Sequence, residues 1–219
     1  MKALVFDLDG TLLNTIEDLK NAINYAIGLY GYQPISSQQA KDYVGNGIRK
    51  LVERSIGSDL TYLDESYNEF VSYYTKNCNV YTKPYDGIKA LLDYANEKDY
   101  LLACVSNKNI VPLKLLIDAH FCGYFITVIG DGEGFQRKPN PDTLFECAKR
   151  LNVNISDIIY IGDSDVDVET VKNAKCDGIF VDYGYRQKND LINKGAEIIC
   201  SSPLEIIEVL EKKYGYRND

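Results

Sequence analysis

A single histidine, His120, is all that 219 residues provide, so proton transfer here must rest chiefly on carboxylates, Lys, Tyr or Cys. His120 closes the helix-like run 111–120 ahead of Phe121, a place to cap or pack. No stretch of 18 apolar residues occurs, so no transmembrane helix is expected. The six cysteines never form C-x-x-C; Cys104 lies in a strand pattern and Cys147 in a helix pattern. That spacing reads as buried reduced thiols and not as a disulfide frame or a zinc site. Basic charge is also short, with 24 Lys and Arg against 32 Asp and Glu and a net charge of -8, which argues against a nucleic-acid partner. Met1-Lys2-Ala3-Leu4 runs straight into a strand without a signal-peptide cleavage region. The expectation is a cytoplasmic protein with no membrane partner. No internal repeat or low-complexity run is found.

What is present is an α/β pattern. Apolar residues make up 45% of the chain, enough for a sizeable core. Strand-like runs recur near 3–8, 100–105, 124–129, 158–162, 178–182 and 197–200, most of them separated by amphipathic helical patterns. This alternation predicts a Rossmann-like, mainly parallel sheet. Ile88, Leu91, Leu92 and Ala95 form one apolar helical face; Leu144, Cys147, Ala148 and Leu151 form another. The last helix starts near Pro203 and precedes a polar tail ending at Asp219.

The segment 14–84 breaks the alternation. It shows helices and no convincing strand: Ile16, Leu19, Ile23, Ile27 and Tyr30 line one face, Ile48, Leu51 and Val52 another. It is too long for a loop. The division expected is a core domain of 1–13 and 85–219 and a helical cap domain of 14–84, hinged near 13–17 and 79–86. Tyr62, Tyr67, Tyr73, Tyr74, Tyr81 and Tyr85 crowd the end of this segment. Such tyrosines could line a ligand site, but packing with the hydroxyl in water is the commoner use.

Ala3-Leu4-Val5-Phe6 reads as a fully buried parallel strand, followed by Asp7-Leu8-Asp9-Gly10-Thr11. Carboxylates two positions apart on a strand point the same way, here toward the crevice at the carboxyl end of the sheet. Side by side they repel unless a cation, a shared proton or separate roles relieve them. A helix N-cap with a spare acid is the plainer alternative. Three more polar groups follow in order: Ser106-Asn107 after the strand 101–105, Lys138 opening Lys-Pro-Asn-Pro-Asp, and Asp163, Asp165 and Asp167 after the strand 158–161. Asp-x-Asp-x-Asp superficially matches a calcium loop, but its sixth position would be Val168 and its twelfth Ala174, where Gly and Glu are required.

These four motifs, in this order and nearly spanning the chain, resemble those of the haloacid dehalogenase-like hydrolase superfamily. The resemblance implies a helical cap over the active site. It implies Asp7 as the nucleophile of phosphoryl transfer, and Asp9 as the acid that protonates the leaving alcohol and the base that then activates water. The dehalogenase branch lacks the Asp-x-Asp pair, so Asp9 points to phosphate esters. Lys138 would set a positive charge beside nucleophile and phosphate. Ser106 and Asn107 would donate to phosphate oxygens, before a helix expected from Asn109 whose N-terminus suits an anion. Thr11 joins them in the loop. Asp7, the backbone carbonyl of Asp9 and Asp163 would bind Mg²⁺, with Asp167 in support and Asp165 a less certain member; an oxygen-only set suits that ion.

In the inserted segment, Val44-Gly45-Asn46-Gly47 is similar to the corresponding stretch of phosphoglycolate phosphatases, as are 165–170 and 182–186. Gly45 and Arg49 are thus candidates to touch an anionic substrate tail, although Gly-Asn-Gly is also an ordinary turn. Asn14 departs from the acidic residue of many relatives, which bears on hinge contacts. The expected activity is a Mg²⁺-dependent phosphatase of a small phosphorylated metabolite, 2-phosphoglycolate first, working as monomer or homodimer. A sugar-phosphate mutase, a pyrophosphatase or nucleotidase, and a non-catalytic phosphate-binding regulator are the alternatives. The mutase is disfavoured because such enzymes usually carry a histidine early in the cap.

Overall fold

The computed structural model describes residues 2–215; Met1 and the tail expected to run to Asp219 lie outside them. In chain order the elements begin with β1 (Ala3–Phe6) and β2 (Leu13–Asn14). Four helices follow: α1 (Ile16–Gly28), α2 (Ser37–Tyr43), α3 (Ile48–Ile56) and α4 (Leu63–Asn77). The chain returns through β3 (Lys83–Pro84), α5 (Ile88–Glu97), β4 (Leu101–Asn109), α6 (Ile110–Phe121), β5 (Thr127–Asp131) and α7 (Asp142–Leu151). It ends with β6 (Ile158–Gly162), α8 (Asp165–Ala174), β7 (Asp177–Val181), α9 (Lys188–Asn193), β8 (Ile199–Cys200) and α10 (Pro203–Val209).

Six strands form one sheet in the order β5-β4-β1-β6-β7-β8, and each neighbouring pair is parallel. All four residues of β1 are fully buried, because helices cover both faces of the sheet. Leu4 and Phe6 join the larger apolar cluster, with Leu91 and Leu113; Ala3 and Val5 join the other, with Leu144 and Val168. This is the period-two alternation of a strand, and each large side chain so buried contributes roughly 1.5–3 kcal/mol. The chain leaves β1 for β4 on one side and later reaches β6 on the other. The carboxyl end of β1 is therefore the switch point where ligands of open α/β sheets bind.

The strands expected near 3–8, 158–162 and 178–182 match β1, β6 and β7 closely. The second was expected to stop at 105, yet β4 continues to Asn109, shifting register against β5 beyond Val105. Ser106 and Asn107 thus belong to the strand and do not merely follow it. Two short strands were not foreseen: Leu13 pairs with Pro84 and Asn14 with Lys83, antiparallel, where the helical insertion leaves and rejoins the sheet. Two-residue strands carry too little periodicity to be read from sequence.

Within the insertion, Ile16, Leu19, Ile23 and Ile27 are buried as expected, but Tyr30 lies beyond the end of α1 and stacks on Tyr62 at 4.9 Å between ring centroids. Leu51 and Val52 are buried. These side chains belong to the same apolar cluster as Leu4 and Phe6, so the inserted helices share a core with one face of the sheet. Asp18 of α1 adds a polar tie. Its carboxylate accepts from the backbone N–H groups of Val80, Tyr81 and Thr82 and from the Thr82 hydroxyl, at 2.7–3.1 Å. Among the described residues no helix is long and apolar enough to cross a membrane.

Candidate active site

A narrow cavity lies beyond the carboxyl ends of β1, β4 and β6, roofed by the inserted helices. Its polar lining includes Asp7, Asp9, Ser106, Lys138 and Asp163; its apolar lining includes Leu19, Val44, Ile48, Leu51 and Tyr74. Asp7 is fixed because its N–H continues the sheet ladder to Ile161 O at 2.9 Å. After it the chain reverses. Gly10 takes φ +88°, open to glycine at no steric cost, and a side chain there would collide with the Asp163 carboxylate at 2.2 Å. Gly184, after β7, closes in from elsewhere: a Cβ on it would lie 2.4 Å from Asp163 Cβ and from Gly10 O. Asp163 thus sits in a slot between two glycines, accepting from Tyr185 N–H at 2.7 Å and the Thr11 hydroxyl at 3.3 Å.

Lys138 is buried among three polar partners. Its Nζ lies 2.6 Å from Tyr160 Oη, 2.7 Å from Asp167 Oδ1 and 3.0 Å from Asp7 Oδ1. The last is an ion pair outside hydrogen-bond angles, and Asp7 Oδ1 has no hydrogen-bond donor among the described residues. Asp167 is the opposite case. Oδ1 accepts from Lys138 and Tyr160, Oδ2 from the Ser164 N–H and hydroxyl. A carboxylate offers about four lone-pair sites, so Asp167 is saturated.

The electrostatics follow from this division. Burial pushes Asp7 up to about 6; Lys138 opposes the rise, and the charges of Asp167 and Asp9 add to it. Burial, then the charges of Asp167 and Asp7, raise Asp163 well above the ordinary carboxylate value. For Asp167 burial acts upward too, but the Lys138 charge and the hydrogen bonds from Lys138, Ser164 and Tyr160 hold it below the ordinary value. Burial would lower Lys138, yet its two carboxylate neighbours hold it above its ordinary value. Carboxylate oxygens of Asp7, Asp163 and Asp167 all lie within 4.8 Å of one another, and one lysine cannot neutralise three acids. The donor set is all oxygen, and Asp7 Oδ1 is buried and orphaned. A hard divalent cation fits it, held by Asp7 and Asp163, since Asp167 has no lone pair to spare.

Asp9 is held differently from Asp7. Thr15 Oγ1 donates to its Oδ1 at 2.5 Å, and Lys108 Nζ lies 2.8 and 3.1 Å from its two oxygens. Thr15 is itself steered by Tyr185, whose hydroxyl accepts from Thr15 N–H and donates to Thr15 Oγ1, each at 2.9 Å.

The sequence profile of the haloacid dehalogenase-like hydrolases matches residues 4–181. The chain belongs to this family. It is 31% identical to a phosphoglycolate phosphatase from Nitrosospira multiformis, over 97% of this chain and 96% of the relative. It is 29% identical to one from Vibrio parahaemolyticus, over 96% of both. The crystal structure of a Lactobacillus delbrueckii subsp. bulgaricus protein, 31% identical, superposes with a TM-score of 0.90 over 96% of this chain and 99% of that one. The chain is a phosphatase, a phosphoric monoester hydrolase of the phosphoglycolate phosphatase-like group.

The structure of this hydrolase brings Asp7, Asp9, Ser106, Asn107, Lys138, Asp163 and Gly45 to one cavity. Several take roles other than those expected. Both N–H groups of the Asn107 amide are engaged, by Gly45 O at 3.0 Å and Lys138 O at 2.9 Å, while its oxygen accepts from Lys138 N–H. The residue expected to hold phosphate here stitches the inserted loop to the lysine loop. Thr11 donates to Asp163 and lies off the cavity lining. Asp165 pairs with Arg186 at 3.1 Å and stands outside the acidic cluster. Ser106 keeps its hydroxyl proton without an acceptor among the described residues, its oxygen accepting from Lys108 N–H.

Arg49 is off the cavity altogether. It is 49% exposed, pairs with Asp64 at 2.6 Å and lies over the Tyr67 ring: on α3 it follows Ile48, which does line the cavity, and one helical step turns it outward. Of the crowded tyrosines, Tyr74 lines the cavity. His120 contacts Asn79 at 2.7 Å, away from the cavity. Sequence reading overlooked Lys108 and Thr15, and gave Gly184 and Tyr185 only within the stretch 182–186, without a role. Lys108 left a signal, since a lysine two residues past Ser106 on a strand points to the same side.

Proposed function

We propose that this chain is a Mg²⁺-dependent phosphatase of the cytoplasm acting on a small phosphorylated metabolite, with 2-phosphoglycolate as leading substrate and an aspartyl-phosphate on Asp7 as intermediate. The observation that carries the reading is the unequal treatment of two neighbouring carboxylates. Asp7 keeps an oxygen bare of hydrogen bonds beside Lys138, as a nucleophile requires. Asp9 is clamped by Thr15 and Lys108, as a group that must hand a proton to one position requires. Asp7 attacks phosphorus as the alcohol leaves with a proton from Asp9; Asp9 then takes a proton from the water that opens the acyl phosphate. Lys138 offsets charge at the nucleophile, and Ser106 supplies a donor to a phosphate oxygen. A bound magnesium would add positive charge at the Asp7–Asp163 side and orient the phosphate, with the Asp9 backbone carbonyl completing its protein ligands.

The narrow cavity, closed over by Val44, Ile48 and Leu51 of the insertion, suits a compact ester better than a nucleotide. The names of the relatives support phosphoglycolate, and the insertion 14–84 is read as a cap domain on the core of 1–13 and 85–219. Incubation with ³²P-labelled substrate and acid quench should label the protein on Asp7. Asp7→Asn should lose both label and turnover. A variant that keeps wild-type rates would falsify the mechanism, and a wild-type enzyme that prefers nucleoside monophosphates to phosphoglycolate would refute the substrate.

A further inference from the structure

We propose that Lys108 is the specificity residue of the cavity, the cation that takes the second negative charge of an anionic phosphate ester. The inference rests on the phosphatase reading above and deepens it.

Three cationic side chains line the cavity: Lys108, Lys138 and Arg186. Two are committed. Lys138 is locked by Tyr160, Asp167 and Asp7. Arg186 pairs with Asp165 and donates to the backbone carbonyls of Lys41 and Val44, so it fastens the inserted loop to the sheet. Lys108 is 4% exposed, and its carboxylate partner is Asp9, a working group of the reaction that itself lines the cavity. Its charge can change partners inside the cavity when an anion arrives. Lys108 also stands two residues along β4 from Ser106. Even across the register shift beyond Val105, two residues span at most roughly 7 Å, comparable with the reach from a phosphate to a carboxylate one carbon beyond the ester oxygen.

The surroundings make the charge effective. The Tyr74 ring lies 4.7 Å from Lys108 Nζ, and Leu19, Ile48 and Leu51 line the same cavity. Charges paired away from water attract far more strongly than exposed ones. Tyr74 brings a second feature. Its hydroxyl is buried with no hydrogen-bond partner among the described residues, an unusual state for a native protein. A substrate carboxylate would accept from Lys108, and a small rotation of the Tyr74 ring would offer its hydroxyl as well. Arg49, the sequence candidate for this task, is engaged on the outside with Asp64.

The test compares kcat/KM for two pairs of esters, phosphoglycolate against ethyl phosphate and 3-phosphoglycerate against glycerol 3-phosphate, in wild type, Lys108→Met, Lys108→Gln and Lys108→Arg. Loss of the Asp9 contact weighs most on the poorer leaving group, that of ethyl phosphate, and so would raise the first ratio instead of lowering it; in the second pair the leaving alcohols are closely matched. The anionic-to-neutral ratio should fall at least tenfold in Lys108→Met and Lys108→Gln, mostly through KM, and recover in part in Lys108→Arg. Circular dichroism identifies a variant that fails to fold, and the other neutral variant then decides. An unchanged or raised ratio overturns the proposal and makes Lys108 a support for Asp9. A wild-type enzyme that prefers 3-phosphoglycerate to phosphoglycolate, with a Lys108-dependent ratio, refutes the substrate and supports Lys108. A wild type without any anionic preference overturns both.

Discussion

At the scale of single residues, this site is defined by which lone pairs are left over. Asp167 has none and Asp7 has one buried and bare, although both are aspartates beside the same lysine. The slot around Asp163 makes the same point sterically. Gly184→Ala would drive a methyl group to within 2.4 Å of Asp163 and Gly10 O. Overpacking of that kind costs about 1–3 kcal/mol. The expected outcome is weaker Mg²⁺ binding by titration calorimetry together with a lower Tm; wild-type metal affinity in this variant would disprove the slot's role. Arg49→Ala is the contrasting case. Its pair with Asp64 is exposed, and such pairs contribute at most about 1 kcal/mol. We expect KM for phosphoglycolate to change less than twofold, and a tenfold rise would return Arg49 to the binding site. Asp7, Asp9, Lys138 and Asp163 were legible because a charged residue closing an apolar strand is chemically conspicuous. Lys108 and Thr15 were not, since a lysine or threonine beside a strand is ordinary until its partner is known.

At the scale of elements, Asp18 is the tie between the two ends of the insertion. An acid in the first turn of a helix reads from sequence as a helix-dipole partner, which hid its second task of receiving four donors from residues 80–82. Asp18→Ala would strand three backbone N–H groups next to a buried position. Val80 and Tyr81 are exposed and water can replace the lost acceptor there, but Thr82 is buried; an unsatisfied buried group costs about 1–3 kcal/mol, and a loss of about that size is expected by urea denaturation. Hydrogen exchange should accelerate at Val80, Tyr81 and Thr82 first; uniform acceleration over the sheet would show that the tie is not local. The sheet itself was largely readable, because β1 and β6 are buried on both faces and carry unbroken apolar runs. The pairing of the short strands β2 and β3 escaped because contact between Leu13 and Pro84 is a tertiary fact with no local pattern.

At the scale of the whole molecule, the buried acidic cluster ties stability to pH, and on the proposed reading to Mg²⁺ as well. Burial lifts Asp7 from 3.8 to about 6. Between those values the folded chain holds a proton that the unfolded chain has lost, so stability is greatest below the lower value and declines as pH rises through the upper one. A shift of about two units corresponds to roughly 3 kcal/mol. In chelator, the Tm should therefore fall between pH 4 and pH 6, apart from other titrations. Saturating Mg²⁺ should remove much of that slope, because the cation takes the place of the proton on Asp7. Identical slopes with and without Mg²⁺ would exclude Asp7 from the metal site. Ca²⁺ should stabilise the fold equally well yet depress turnover, since its looser coordination misplaces the nucleophile.

Thr15 hydrogen-bonds Asp9 from the N-cap position of α1, its hydroxyl turned to Asp9 and not to the helix, immediately beyond the paired residues Leu13 and Asn14. Gly10 N–H, in turn, binds Leu13 O. If the insertion moves as a cap about that pairing, Thr15 would move with it and leave Asp9 held by Lys108 alone. Doorway and trigger would then be one lever, and an open door would leave the trigger with half its catch.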